Sequence, residues 1–279
     1  MTRHVALVGK PLRRRHSQLM HDAAFAAAGI DARYELRELE EEELPAFVAR
    51  ARDPDWFGLQ VTAPYKRTVM PLLDELEADA TAIDAVNSVL TRDGRLIGFN
   101  TDAPGFRLAA ERLLGRPFSG VNAVVLGAGG AAHAVTYALL DGGAARVTVA
   151  NRDPARAASL AAHFGDARLE ALPLDGIDDR LSAADLVVNA TTVGMLSGGT
   201  AVAVGQLGAA TAVFDCVYVP AETELVRGAR ARGLRAANGD EMLVAQAAIA
   251  FERWTGIGGM ETTMRAAIQP LLDDPSTQA

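Results

Sequence analysis

The stretch of this sequence most suited to chemistry is a turn. Leu126-Gly127-Ala128-Gly129-Gly130-Ala131-Ala132 follows the apolar run Val121–Leu126 and opens a helical segment. That context fits the G-x-G-x-x-G/A fingerprint of dinucleotide-binding loops, with Ala132 in the last place. Gly127 permits the tight turn, and Gly129 lets backbone approach a pyrophosphate. Ala128, Gly130 and Ala131 complete the loop, where a phosphate can rest on the free N–H groups of the helix start. The next strand, near Arg146–Ala150, ends in Asn151 and Arg152, with Arg156 one helical turn on. NAD-binding domains usually end that strand in Asp or Glu, which accepts from the ribose 2′-hydroxyl. An amide beside two guanidinium groups suits a 2′-phosphate instead. The expected cofactor is NADP. Asp153, between the arginines, reads as the cap of a helix starting at Pro154.

Carbonyl reduction with such a cofactor needs a hydride donor, a proton donor beside the carbonyl oxygen and groups that orient the substrate. Lys66 follows a strand and the turn residue Pro64, and it can supply the proton; Asp102 can hold that amine and the reacting hydroxyl in one network. Taken singly, a lysine and an aspartate are more often surface charge. No histidine spacing suggests a metal site.

The elements that must position these residues alternate between short apolar runs and helical stretches, the pattern of α/β folds with mostly parallel sheets. Strands are expected at Val5–Val8, Arg33–Leu36 and Trp56–Val61, with helices at Ser17–Ala28 and Glu41–Arg50. Ser17 can cap the first helix, and Gly29 can end it. Val86–Thr91 and Arg95–Phe99 flank Asp93-Gly94, a hairpin signal. A second series runs through Val121–Leu126, a helix at Ala131–Leu140, Arg146–Ala150, a helix at Pro154–Phe164, then strands at Leu186–Asn189 and Ala212–Val217. Helices at Met242–Thr255 and Met260–Leu272 close the chain. The fold class is therefore α/β, read as an N-terminal substrate and catalytic domain (1–103), a Rossmann-type NADP-binding domain (104–238), and C-terminal helices (239–279) returning to the substrate domain.

At 279 residues, 49% hydrophobic and 22% charged, the chain is long enough for two modest globular domains. A net charge of −8 argues against a nucleic-acid surface, so an anionic substrate needs a local basic pocket. The uncharged run Leu186–Phe214 is broken by polar residues and by Gly198-Gly199, which reads as buried strands and a loop rather than a membrane span. The amino terminus shows no signal-peptide pattern, and one cysteine cannot form an internal disulfide. A cytoplasmic location is expected, as a monomer or homodimer.

Short motifs then converge in order: GKPLRRRHSQLMH from Gly9 to His21, VTAPYK from Val61 to Lys66, AVN ending at Asn87, and NTD ending at Asp102. The glycine loop, Asn151-Arg152, NATTVGM from Asn189, VYVP from Val217 and NGDEMLVAQ from Asn238 to Gln246 continue the series. Along nearly the whole chain this resembles the shikimate dehydrogenase family. The resemblance implies reversible NADPH-linked reduction of 3-dehydroshikimate to shikimate, a small anionic hydroxylated ring, with Lys66 and Asp102 as the catalytic pair. It also implies ring-hydroxyl and carboxylate contacts from Ser17, Thr62, Asn87, Tyr218 and Gln246. On the cofactor side it implies roles for Gly127 to Ala131, Asn151, Arg152, Arg156, Thr191, Cys216 and Gly239.

Three departures from the family pattern bear on the substrate. Arg15 stands where the family usually places the first of two carboxylate-binding serines, and it reads either as charge on a solvated loop or as a bidentate partner of the substrate carboxylate. Gln60 replaces an asparagine common before Val61-Thr62. Asp240 and Glu241 put two carboxylates in a segment the family often keeps neutral. The run VYVPAETEL is also close to quinate/shikimate dehydrogenases. Quinate or a related cyclohexane carboxylate is thus the alternative substrate, and a dinucleotide-binding regulator is the non-enzyme alternative.

Overall fold

A computed structural model describes residues 2–12, 14–195 and 198–273. The chain divides into two compact units, one up to Thr101 together with Val244–Leu271, the other mainly Asp102–Leu243. The first unit contains β1 (Arg3–Gly9), α1 (His16–Ala27), β2 (Ala32–Glu38), α2 (Leu44–Arg50), β3 (Trp56–Val61), β4 (Glu75–Leu76), α3 (Ala78–Ile83), β5 (Ser88–Arg92) and β6 (Arg95–Phe99). The second contains α4 (Asp102–Leu114), β7 (Asn122–Leu126), α5 (Gly130–Asp141), β8 (Arg146–Asn151), α6 (Pro154–Phe164), β9 (Leu169–Pro173), α7 (Asp178–Ala183), β10 (Leu186–Asn189), β11 (Ala212–Asp215), α8 (Glu224–Ala231) and β12 (Ala236–Ala237). Helices α9 (Asp240–Thr255) and α10 (Glu261–Asp273) follow. No helix of the described residues is long and apolar enough to cross a membrane.

In the first unit the strand order is β2-β1-β3-β5-β6-β4, with β1 parallel to β2 and β3, and β5 antiparallel to β3. One face is filled by a cluster that includes Leu44, Trp56, Leu59, Val61 and Val89. The expected Asp93-Gly94 hairpin joins β5 to β6, with Arg92 opposite Arg95. Helix α9 returns to this unit. Phe251 packs against Phe25 at 5.1 Å between ring centres, and Trp254 Nε1 donates to Val89 O at 2.9 Å.

The expectation that Ser17 caps α1 is corrected. The helix starts at His16, with Arg15 in the cap position and no side-chain cap bond. Ser17 lies inside the first turn.

His21, fully buried on α1, stacks on Tyr34 with ring centres 4.7 Å apart. Burial holds its imidazole down at about 3, so it stays neutral in the fold, whereas the unfolded chain takes up that proton near 6.5. Its contribution to stability is therefore intact above pH 6.5 and falls as pH drops from there toward 3, by up to about 1.4 kcal/mol per pH unit. His21→Phe, which keeps a ring against Tyr34, is expected to flatten this acid limb: urea midpoints at about pH 7 and pH 5 should differ less than in the parent protein. An unchanged difference would assign the limb to other groups.

The second unit is a six-stranded sheet ordered β12-β11-β10-β7-β8-β9, with each strand parallel to its neighbours. From β7 the chain winds outward through β8 and β9, then crosses back to β10 on the other side. The order thus reverses between β7 and β10, the kind of switch point where α/β sheets bind ligands.

Candidate active site

The chemistry-bearing loops of the first unit leave its sheet at one end. Gly9 and Val61 end the parallel strands β1 and β3, Ser88 opens β5 opposite Gln60, and Phe99 ends β6 opposite Ser88. Backbone hydrogen bonds tie these loops together. Thr62 N donates to Val8 O at 2.9 Å, Val86 N to Lys66 O at 2.9 Å, and Val61 N to Asn87 O at 2.8 Å. Lys66 and Thr62 are half-buried, while Asn87 and Gln246 are buried.

Asn87 is locked by Thr101, a residue the sequence reading did not single out. Asn87 Nδ2 donates to Thr101 Oγ1 at 2.9 Å, and Thr101 N donates to Asn87 Oδ1 at 2.8 Å. Asn100 Nδ2 donates to Ala85 O at 2.9 Å. The backbone just before Asp102 is thereby fixed on the segment that also anchors Lys66. Gln246 joins the same end: its Oε1 accepts from Gln60 Nε2 at 3.2 Å and from Thr101 Oγ1 at 3.4 Å.

Arg15 is exposed, and its Nε donates to Gln18 Oε1 at 3.0 Å. Of the neighbouring basic residues, Lys10 is ion-paired with Glu40, and Arg13 lies outside the described residues.

In the second unit the loops after β7, β8, β10 and β11 carry the cofactor candidates. Gly127 has φ +110, and a Cβ there would lie 2.9 Å from Thr191 Cγ2 and 3.0 Å from Ala190 O, so only glycine fits. A Cβ on Gly129 or Gly130 would meet nothing within 4 Å. The space over this turn is open, and α5 starts at Gly130 with no side-chain cap bond. That is a cradle for an anion. Asn151 Nδ2 donates to Asp153 O at 3.0 Å, and Asp153 Oδ1 caps α6 by accepting from Ala155 N at 3.0 Å. Asp153 is thus turned to its own helix, while Arg152 and Arg156 are exposed and no ion pair among the described residues engages them. The donor set fits a 2′-phosphate.

Behind Thr191 and Cys216 sits a buried carboxylate the sequence reading missed. Asp215 accepts from Asn189 Nδ2 at 2.8 Å, Thr223 Oγ1 at 2.7 Å and Val217 N at 3.0 Å. Asn189 Oδ1 in turn accepts from Thr191 Oγ1 at 2.6 Å. Burial raises the Asp215 carboxyl against the pull of those three donors. Burial also pushes the Cys216 thiol up, with the Asp215 and Asp102 carboxylates adding to the effect. The Cys216 backbone closes on the next segment: a Cβ on Gly239 would lie 2.3 Å from Cys216 O. Tyr218, half-buried, follows on the same loop. A separate cavity of about 260 Å³, lined by Asn122, Val124, Arg146, Thr148 and Arg180 among others, opens at the opposite ends of β7 and β8, where Glu170 holds Arg180.

Comparison with known proteins decides what this arrangement belongs to. Family models described as shikimate dehydrogenase substrate binding domain, shikimate / quinate 5-dehydrogenase and shikimate 5′-dehydrogenase C-terminal domain match residues 7–89, 108–196 and 239–269. The chain is 41% identical over 280 residues to shikimate dehydrogenase (NADP(+)) of Symbiobacterium thermophilum, covering 97% of this chain and 95% of that one. This chain belongs to the shikimate dehydrogenase family. Among solved structures, shikimate 5-dehydrogenase from Thermus thermophilus in complex with NADP(H) and shikimate matches with TM-score 0.85 and 39% identity, covering 95% of this chain and 99% of that one. Quinate dehydrogenase from Corynebacterium glutamicum in complex with NAD matches with TM-score 0.87 and 35% identity, over 96% and 99% of the two chains. Both substrates and both nicotinamide cofactors thus occur on this fold, so the side chains must discriminate.

Proposed function

We propose that this chain is an NADP-dependent shikimate dehydrogenase that interconverts 3-dehydroshikimate and shikimate. The observation that carries the reading is the gathering of Ser17, Thr62, Lys66, Asn87 and Gln246 in one unit of a chain whose relatives are shikimate dehydrogenases along nearly its full length. The nicotinamide, when bound, supplies the hydride in reduction and takes it up in oxidation. In reduction, the Lys66 ammonium passes a proton to the carbonyl oxygen as the ring carbon gains the hydride, so C=O becomes CH–OH. Asp102 accepts hydrogen bonds from that amine and from the reacting hydroxyl. Thr62, Asn87, Tyr218 and Gln246 contact the ring hydroxyls, and Ser17 donates to the carboxylate. Gly127 to Ala131 hold the pyrophosphate, and Asn151, Arg152 and Arg156 hold the 2′-phosphate. Thr191, Cys216 and Gly239 shape the nicotinamide side. The single thiol fits a cytoplasmic enzyme.

A second reading, turnover of quinate, is favoured by Arg15 in place of a serine. With its Nε on Gln18, Arg15 retains both terminal nitrogens for a carboxylate. Arg15→Ala is expected to raise the KM for shikimate about tenfold, and Arg15→Ser to shift the ratio of kcat/KM values toward shikimate over quinate. Unchanged values would leave the carboxylate to Ser17 alone. The reading as a whole is tested by initial rates with shikimate and quinate, each against NADP and NAD. Shikimate with NADP should give the highest kcat/KM of the four pairs, and a higher value for quinate or for NAD would replace this reading.

A further inference from the structure

Beneath the cofactor loops of the second unit lie two buried side chains, Asn189 and Asp215, 1% and 0% exposed. Asn189 ends β10, and Asp215 ends β11 opposite it. Both ends of the Asn189 amide are engaged. Its Oδ1 accepts from Thr191 N at 3.1 Å and lies 2.6 Å from Thr191 Oγ1. Its Nδ2 donates to Val193 O at 3.1 Å and to Asp215 Oδ1 at 2.8 Å. The same carboxylate reaches two further segments. Its Oδ1 accepts from Val217 N at 3.0 Å, and its Oδ2 accepts from the Thr223 hydroxyl at 2.7 Å. The Thr223 oxygen in turn accepts from Val226 N at 3.2 Å, in the first turn of α8.

Backbone groups set the direction of this amide. Thr191 N–H can only donate and Val193 C=O can only accept, so the amide oxygen faces the first and the nitrogen the second. Both amide hydrogens are then used, one on Val193 O and one on Asp215 Oδ1. The Thr191 hydroxyl follows from the same reasoning. Its oxygen accepts from Val193 N at 3.1 Å, and Asn189 Oδ1 has no hydrogen to give it. The single hydroxyl proton of Thr191 therefore goes to Asn189 and not to a ligand. What Thr191 turns toward the glycine loop is its methyl group: a Cβ on Gly127 would lie 2.9 Å from Thr191 Cγ2.

We propose that Asn189 and Asp215 are positioning residues for the dinucleotide. Through the Thr191 hydroxyl they hold the turn that follows β10 against Gly127, so Thr191 serves the cofactor by its shape and not by donating from its hydroxyl. This positioning role deepens the reading of the glycine turn as the pyrophosphate site and rests on it. A turn released from Asn189 must be ordered again when the cofactor binds, and that ordering is subtracted from the affinity.

The test is a double-mutant cycle read by titration through the Kd values of NADP and NAD. Thr191→Val keeps the methyl and removes the hydroxyl. It is expected to raise both Kd values about fivefold and to the same extent, with the KM for shikimate at saturating NADP unchanged. In an Asn189→Ala background the same substitution should change either Kd less than about twofold, because the partner of the hydroxyl is already gone. Asp215→Ala should also raise both Kd values. Asp215→Asn should restore them, since its Oδ1 can still accept from Asn189 and Val217 while its amide donates to Thr223. If Asn189→Ala does not fold, a crystal structure of the parent protein with NADP replaces the cycle, and the bond from Thr191 Oγ1 to Asn189 Oδ1 should persist in it. Unchanged Kd values in Thr191→Val, an undiminished effect in the Asn189→Ala background, no restoration by Asp215→Asn, or a Thr191 hydroxyl turned to a cofactor oxygen would overturn the proposal. A parent protein that binds neither dinucleotide would instead refute the functional reading beneath it.

Discussion

Lys66→Ala is expected to lower turnover with shikimate by about 10²–10⁴-fold, the usual worth of a positioned acid–base group, while NADP binding stays nearly unchanged. In the proposed mechanism the substitution removes the proton donor for the carbonyl oxygen in reduction and the base that takes the proton in oxidation. Because Lys66 sits in the first unit, on the loop that Val86 N anchors, the cofactor turn after β7 should not feel its loss. Lys66→Arg sharpens the test. Arginine keeps the charge but holds its proton far too tightly to transfer it, so a purely electrostatic role would survive that change and proton transfer would not. A variant that kept most of its kcat would remove Lys66 from the mechanism.

Arg152→Ala is expected to weaken NADP binding by about 1.5–3 kcal/mol, roughly 10- to 150-fold in Kd, and to leave NAD binding almost unaltered. The geometry makes the contrast sharp. Asp153, the one carboxylate close in sequence, is spent on capping α6, and no ion pair among the described residues engages Arg152. The side chain can thus meet an incoming phosphate without breaking a bond inside the fold. Titration of the parent and variant with both cofactors reads the effect directly. Equal losses for NADP and NAD would make Arg152 a structural residue.

The alternation of strands and helices was legible because buried parallel strands such as β7 and β10 read as unbroken apolar runs. The elements that escaped have physical reasons. Helix α4 opens with Asp102-Ala103-Pro104-Gly105, and the sequence reading placed a domain boundary at Pro104; proline in a first helical turn loses no hydrogen bond, so the helix runs through it. Strand β9 lies at the sheet edge, half-buried along its length and ending in Pro173, so it shows no alternation. Helix α8 is arginine-rich and carries Gly228, where a Cβ would lie 2.9 Å from Val204 Cγ2.

Of the candidate site, the glycine loop was legible by local spacing. Lys66 and Asp102 were legible only through the motifs around them. The supports were not legible at all. Gln246 meets Thr101 across 145 residues and Gln60 across 186, and no local pattern encodes such pairings. Asp215 reads in sequence as one charge in a strand; only the fold shows Asn189 and Thr223 closing on it.

Hydride transfer from NADPH to the ring on this chain is read by following the hydrogen itself. The parent protein is incubated with 3-dehydroshikimate and NADPH carrying deuterium at the transferable position of its nicotinamide, and the ring product is examined by mass spectrometry and NMR. Shikimate with one deuterium on the carbon that bore the carbonyl is expected, formed in step with loss of NADPH, with no such product from Lys66→Ala on the same timescale. Loss of NADPH without ring deuterium, or no conversion of 3-dehydroshikimate by the folded parent protein, would contradict it.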